Sequence, residues 1–335
     1  MASIKLAIDF DSSYTSIYRL GSGLVLHEPT VAAIDINGKN EIKAFGFDAN
    51  KLIGKTSENT KVVFPVFEGE IVNVKVATRL LSEFLKKVGV ESKLSSVKAV
   101  VSVPCGADAE MLKKYDIVFR QAGISKIHYV EAPILSAFGQ RIPLSDFAPY
   151  FVIDMAGGTT SIAALSLDGI IAGVSLNFGA NNICTNIIDY VAEVYGLQIG
   201  LLTAERLRKE ISSLAEDDTL STIVNGRDIK TGVPKAITLR ALDIIIPTRK
   251  YYQTVTEVAL EVLKKLPPEV SAEIRHSGIF VSGLASNTYG LENYFTEKFA
   301  MKTHIAKSGA LAVALGGGTV VGNKDFIEKL AIKLD

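Results

Sequence analysis

Two segments of the chain share the pattern D-x-x-x-x-x-T-S-I, and this repeat constrains the fold more than any other feature. They are Asp9-Phe10-Asp11-Ser12-Ser13-Tyr14-Thr15-Ser16-Ile17 and Asp154-Met155-Ala156-Gly157-Gly158-Thr159-Thr160-Ser161-Ile162. Each follows an apolar run, Ile4 to Ile8 and Phe151 to Ile153, and each leads into a second β-like run. In a chain of 335 residues, long enough for two cores, such repetition predicts a duplicated domain with its boundary near Pro143 to Pro149.

The repeated hairpin has a chemical logic. A strand ending in Asp, then a tight Gly/Ser/Thr turn, directs several backbone N–H groups and hydroxyls at one point. Phosphate oxygens need that arrangement, and small residues let the backbone approach them. An aspartate at the strand end can hold Mg²⁺ through water, since that ion keeps most of its hydration. Turn-favouring residues alone could make one such hairpin. Two in matching frames favour the anion-binding reading.

Around the repeat, short β-branched runs alternate with helical patterns. Helices are expected near 75–88, 108–121, 134–141, 183–195, 203–214, 251–266, 290–299, 308–315 and 325–334, with strands at 98–103, 127–130, 161–167, 170–176 and 278–281. The alternation predicts α/β architecture with mixed sheets. The run Gly316-Gly317-Gly318 lacks the strand-turn-helix frame of a dinucleotide fingerprint and is expected to end a helix.

Composition narrows the function. Lys+Arg and Asp+Glu are both 36, and this neutrality argues against a chain built to grip nucleic acid or anionic lipid electrostatically. Cys105 and Cys184 form no C-x-x-C pair, and His27, His128, His276 and His304 are scattered, so no zinc spacing exists. The first nine residues lack a signal-peptide pattern, and the uncharged stretch 169–188 carries four asparagines. A cytoplasmic location is therefore expected.

At this point the chain resembles the actin superfamily, and within it the MreB family of bacterial actins. The resemblance rests on the segments His27-Glu28-Pro29-Thr30-Val31-Ala32-Ala33-Ile34, Leu52-Ile53-Gly54-Lys55-Thr56, Val152 to Thr160, Thr203-Ala204-Glu205-Arg206, Leu266-Pro267-Pro268-Glu269 and Gly278 to Gly283, in family order. It implies an actin-like fold of two ribonuclease-H-like domains with a nucleotide cleft between them. Domain I would span 1–145 with a small subdomain at about 32–72 and a returning helix at 324–335. Domain II would span 146–323 with a small subdomain at about 180–250. ATP or ADP with Mg²⁺ is the implied ligand, and the implied role is a filament for cell shape, or for swimming in a wall-less helical cell. Partners would be further copies stacked head to tail in antiparallel pairs. Co-assembly with other MreB paralogues and peripheral membrane contact are left open.

Carried over by resemblance, Asp9, Ser12, Ser13 and Tyr14 form the first phosphate loop, and Asp154, Gly157, Gly158, Thr159 and Thr160 the second. Asp9 and Asp154 would hold the metal through water, and Glu131 and Thr160 are the candidate catalytic groups. Glu205 and Arg208 would flank the nucleoside, and Gly283 with Leu284 would meet the adenosine.

The departures from the family pattern matter as much. Val130-Glu131-Ala132-Pro133 puts Ala132 at the hydrolytic glutamate position, and Glu131, one residue earlier on a helix, points about 100° away. A water-orienting carboxylate is worth roughly 10²–10⁴ in rate, so hydrolysis is expected to be slow. Asp11 replaces a glycine of the first loop. Its carboxylate either points away, is compensated by Mg²⁺ or a lysine, or weakens nucleotide binding. Asn181 and Asn182 replace two acids, and Leu284 and Ala285 replace two glycines.

For membrane contact, Met1 to Lys5 is too short for an amphipathic helix, and Lys93-Leu94 is a thin apolar loop. The stripe Phe326, Ile327, Leu330, Leu334 is expected to pack on its own domain, as a terminal helix usually does. Two other actin-fold classes are considered. A small-molecule kinase would need a catalytic aspartate motif that is not found near Asp154. A heat-shock-type chaperone would need a peptide-binding domain after Asp335.

Overall fold

The computed structural model describes residues 3–37, 41–90, 96–144, 147–167 and 169–333. The first half contains β1 (Ile4–Phe10), β2 (Tyr14–Arg19), β3 (Gly23–Pro29), β4 (Ala32–Asp35), β5 (Ile42–Phe45), α1 (Phe47–Asn50), β6 (Thr60–Val63), β7 (Val66–Phe67) and β8 (Glu70–Ile71). It continues through α2 (Val74–Lys87), β9 (Val97–Val103), α3 (Ala109–Gln121), β10 (Lys126–Glu131) and α4 (Ala132–Gly139). The second half begins with β11 (Tyr150–Met155), β12 (Thr160–Ser166), β13 (Gly169–Leu176), α5 (Ala180–Tyr195), β14 (Leu197–Gln198), α6 (Leu201–Glu210), β15 (Ser221–Asp228) and β16 (Pro234–Arg240). It ends with α7 (Ile245–Lys264), α8 (Pro268–Ser277), β17 (Ile279–Ser282), α9 (Leu291–Phe299), β18 (Thr303–Ile305), α10 (Ala312–Gly322) and α11 (Lys324–Leu330).

The duplication read from the repeat is visible in the topology. One five-stranded sheet runs β3-β2-β1-β9-β10 and the other β13-β12-β11-β17-β18. In each, three antiparallel strands are followed by two parallel ones on the far side of the first strand. Two three-stranded sheets, β5-β4-β6 and β14-β15-β16, form the small additions. The hairpin β15–β16 escapes the sequence reading because apolar residues there are exposed, Ile223 and Val233 among them, so burial leaves little alternation to read.

Strand alternation decides which way each residue faces. In β1, Leu6, Ile8 and Phe10 pack outward on α2 and α3, while Ala7 faces a middle core. In β11, Phe151, Ile153 and Met155 pack into the second core, while Val152 faces the same middle core. By that period of two, Asp9 is in phase with Ala7 and Asp154 with Val152. Both carboxylates therefore project toward the interface of the halves.

The middle core is built by α4, α10 and α11. Here the glycine run departs from expectation. Gly316-Gly317-Gly318 does not end a helix but lies inside α10. A Cβ on Gly316 would collide with the Leu135 carbonyl of α4, and one on Gly318 would come within 2.6 Å of the Tyr18 ring. One on Gly317 would lie 2.8 Å from the Ala7 Cβ. Close backbone approach, rather than termination, explains the three glycines. Around this helix the chain crosses over: α4, ahead of the expected boundary at 145, packs against β11 and β12, whereas α10, ahead of the expected return at 324, packs on β1 and β2.

The terminal stripe is packed. Phe326 lies 4.9 Å from Phe138 ring to ring, Leu330 is buried, and the Ile332 N–H donates to the Tyr129 carbonyl at 2.8 Å. Leu334 and the loop at Lys93-Leu94 lie outside the described residues. Among the described residues, no helix is long and apolar enough to cross a membrane.

Candidate functional site

The two repeated turns meet face to face between the halves. Asp9 ends β1 opposite Ser102 of the parallel strand β9, and the Ser102 hydroxyl donates to Asp9 Oδ1 at 2.5 Å. The second copy repeats this, with Asp154 paired to Ser282 in register and Ser282 Oγ donating to Asp154 Oδ1 at 2.6 Å. Since Ser282 gives its only proton to Asp154, Ser136 Oγ must donate to Ser282 at 2.5 Å, and Gln140 Nε2 donates to Ser136 at 3.1 Å. A directed hydrogen-bond chain thus runs from α4 to the carboxylate. The sequence reading missed Ser102 and Ser282. Their signal was a small hydroxyl residue at the corresponding strand end in both repeats.

Asp154 is buried and Asp9 half-buried. Burial, with Asp11 nearby, pushes Asp9 up to about 8, against the pull of the Ser102 hydrogen bond. Burial likewise pushes Asp154 up to about 7 despite the bond from Ser282. Desolvation penalises the charged form, and a neighbouring carboxylate adds to the penalty.

Asp11 resolves the question left open by the sequence. Its carboxylate does not point away. Oδ2 accepts from Gly157 N–H at 2.9 Å and from Ser13 N–H at 3.2 Å, while Oδ1 accepts from Gly158 N–H at 3.5 Å. The side chain thus crosses from the first turn onto the amides of the second. Burial raises its pKa and the surrounding amides oppose the rise.

Other contacts tie the first turn to α5 and α6 of the second half. Ser13 Oγ donates to Asn181 Oδ1 at 2.7 Å. Lys209 Nζ lies 5.8 Å from the Tyr14 ring centroid, and Tyr14 stacks on His27 at 4.6 Å. Burial and the nearby Lys209 lower the His27 pKa. A Cβ on Gly157 would strike the Ser13 side chain, and one on Gly158 would strike Ser12, so both glycines are required for the approach. Ser12 Oγ accepts from Gly69 N–H at 3.1 Å, linking the turn to the β7–β8 hairpin.

Two cavities of about 30 Å³ each flank the three aspartates. Tyr14, His27, Gly157, Gly283 and Leu284 line one, and Ser102, Tyr115, Ala132 and Thr159 line the other. Each is far smaller than the roughly 300–1,000 Å³ of a typical small-molecule pocket.

Two expected site residues, Thr160 and Glu131, turn away from these cavities. Thr160, expected as a phosphate-binding and catalytic group, is the fully buried first residue of β12. Its hydroxyl donates to the Phe178 carbonyl at 2.7 Å, which makes Tyr251 the donor to Thr160 at 2.7 Å. Neighbouring Thr159 lines the cavity instead, because adjacent strand positions face opposite ways. Glu131 Oε1 accepts from Gly106 N–H at 2.7 Å, so it faces the turn after β9. On α6, Arg208 donates to the Leu284 carbonyl at 3.2 Å, and burial raises the Glu205 carboxyl. Gly283 adopts φ +92°, and a Cβ there would collide with the Met155 backbone. Both thiols are buried and pushed up, Cys105 to about 12 and Cys184 to about 11, which makes them poor nucleophiles.

Comparison with known proteins gives the family and the fold. The family model described as MreB/Mbl protein matches residues 3–329. The chain is 32% identical over 323 residues to the cell shape-determining protein MreB of Escherichia coli (strain K12), covering 95% of this chain and 93% of that protein. It is 27% identical over 330 residues to the cell shape-determining protein Mbl of Bacillus subtilis (strain 168), covering 98% and 99%. The crystal structure of MreB 5 of Spiroplasma citri bound to AMPPNP superposes with a TM-score of 0.91 at 25% identity over 98% of each chain. The MamK double helical filament shares the fold, with a TM-score of 0.82 at 18% identity over 96% of this chain and 99% of that one. With its duplicated sheets and facing Asp-ended turns, the chain belongs to the MreB/Mbl family and carries the actin-like fold.

Proposed function

We propose that the chain binds ATP with Mg²⁺ between its two turns and polymerises into cytoplasmic filaments for cell shape, hydrolysing ATP slowly. One observation carries the reading. The amides of Gly157, Gly158 and Ser13 converge on a single anionic group, the Asp11 carboxylate, between the aspartates Asp9 and Asp154 near the ends of β1 and β11. Three amides around an anion form the kind of concavity that takes phosphate. Relatives support the ligand and the assembly: the MreB 5 structure is bound to AMPPNP, a second is bound to ADP, and MamK forms a double helical filament.

The residues fit the metal. Asp9, half-buried, and Asp154, buried, line the same space, and each ionises against desolvation, a cost that a divalent cation relieves. Among the described residues, no cluster of three or more His, Cys, Asp or Glu could hold a metal ion. Mg²⁺ commonly takes one or two carboxylates together with waters and phosphate oxygens, and Asp9 and Asp154 would supply the carboxylates. When bound, the ion would neutralise phosphate charge, while Thr159 and the amides orient the phosphates.

Slow hydrolysis rests on Ala132. It opens α4 and lines the cavity with Asp9, Asp11, Asp154 and Thr159, where a methyl group can neither orient nor deprotonate water. Sedimentation with ATP tests the assembly: a large pelletable polymer is expected, and a chain that stays in the supernatant while consuming ATP with an added hydroxyl substrate would point to a kinase. Phosphate release under polymerising conditions tests the chemistry. Ala132→Glu is expected to raise the rate by roughly 10²-fold or more, the range of a restored general base. An unchanged rate would mean that Ala132 does not limit hydrolysis.

A further inference from the structure

We propose that Asp11 is a built-in competitor for the phosphate chain, its carboxylate holding the amides of the second turn that a bound nucleotide must take over. The inference rests on the nucleotide reading above and goes beyond it by assigning Asp11 control of affinity.

The geometry supports competition rather than mere proximity. Asp11 Oδ2 lies 2.9 Å from Gly157 N and 3.2 Å from Ser13 N, with Oδ1 3.5 Å from Gly158 N. A carboxylate and a phosphate both present anionic oxygens to N–H groups, and such charge-assisted bonds are among the stronger ones a backbone makes. An amide hydrogen satisfied by one is unavailable to the other. The contact also spans the halves, since Asp11 follows β1 and Gly157 follows β11. Displacing the carboxylate therefore releases one tie across the cleft, leaving the ties from Ser13 to Asn181 and from Lys209 to Tyr14.

The internal repeat supplies a comparison within the molecule. Aligned on the strand-end aspartates, Asp11 corresponds to Ala156, which has no carboxylate to lend to the opposite turn. The device is one-sided, so Asp11→Ala makes the first turn resemble the second.

The test uses the full chain with Asp11→Ala, which removes the acceptor, and Asp11→Asn, which is nearly isosteric and leaves only a neutral, weaker acceptor for the Gly157 and Ser13 amides that share Oδ2. Three quantities are measured: equilibrium binding of AMPPNP with Mg²⁺, melting temperature without nucleotide, and amide hydrogen exchange at Gly157 and Gly158. Both variants are expected to bind at least about tenfold tighter, the gain expected from removing a charge-assisted contact that binding must break. Nucleotide-free protein should melt a few degrees lower and exchange those two amides faster. Binding by the variants where the parent shows none would also support the proposal. Equal or weaker binding in correctly folded variants would overturn it, weaker binding meaning that Asp11 helps to hold the cation. Tighter binding with unchanged exchange and melting would overturn amide sharing in favour of simple charge repulsion. If neither parent nor variants bind, the nucleotide reading fails and the competition falls with it. If all bind equally, that reading stands and only Asp11's role is lost.

Discussion

Asp9 and Asp154 set the acid–base behaviour of the cleft. Both are ordinary carboxylates in the unfolded chain, with a reference value of 3.8, and burial pushes them to about 8 and about 7 in the fold. Across that window the folded chain keeps protons that the unfolded chain releases. Their contribution to stability is therefore complete below the unfolded value and is lost as pH rises through the folded values. In metal-free, nucleotide-free buffer the melting temperature should fall between about pH 5 and pH 8. Asp154→Asn should flatten that slope, whereas a melting temperature that climbs over the window would show the carboxylates to be stabilised as anions. Much of this residue-scale chemistry was legible, because the repeat marks both aspartates and strand alternation gives them the same face. The partners Ser102 and Ser282 were not, since each lies far along the chain and only the parallel pairing of β1 with β9 and β11 with β17 brings it in. The destination of Asp11 was equally hidden, because Gly157 is nowhere near it in sequence.

The elements that frame the site depend on close backbone crossings. Helices α4 and α10 touch where Gly316 faces the Leu135 carbonyl and Gly139 faces that of Ala312. Gly316→Ala adds a methyl group inside contact distance of backbone that cannot swing aside. It should destabilise by about 1–3 kcal/mol, the overpacking cost outweighing the roughly 1 kcal/mol that alanine gains in a helix. Gly322→Ala, at the end of the same helix, meets the flexible Leu20 side chain at 3.3 Å and should be close to neutral. Urea unfolding of the two variants checks the contrast, and equal effects would mean that the crossing can relax. Three consecutive glycines look like a helix stop because glycine is a poor helix former. The stop reading fails here because the reason for glycine lies in another helix, and α10 continues through Thr319 to Gly322 on the burial of Val320 and Val321 rather than on propensity.

At the scale of the whole molecule the two halves share one core. The cluster around α4 and α10 draws Ala7 and Val100 from the first sheet and Val152, Ala163 and Leu165 from the second, with Leu330 of α11 closing it. Neither sheet keeps a covered inner face without the other half. Thermal unfolding without nucleotide should therefore be a single cooperative transition, and two well-separated transitions would contradict the shared core. Leu330→Ala should lower stability by about 2–5 kcal/mol and move that transition as a unit. Taken by itself, the sequence determined the duplication, the α/β alternation, the strand-end aspartates and the family resemblance, all of which rest on local pattern or on repetition of it. Only the tertiary structure decided that Asp11 reaches the opposite turn, that Thr159 rather than Thr160 lines the cavity, that Glu131 turns to Gly106, and that α10 serves the first sheet. Those outcomes depend on packing and on hydrogen bonds of about 3 Å between residues far apart in the chain, which no local pattern encodes.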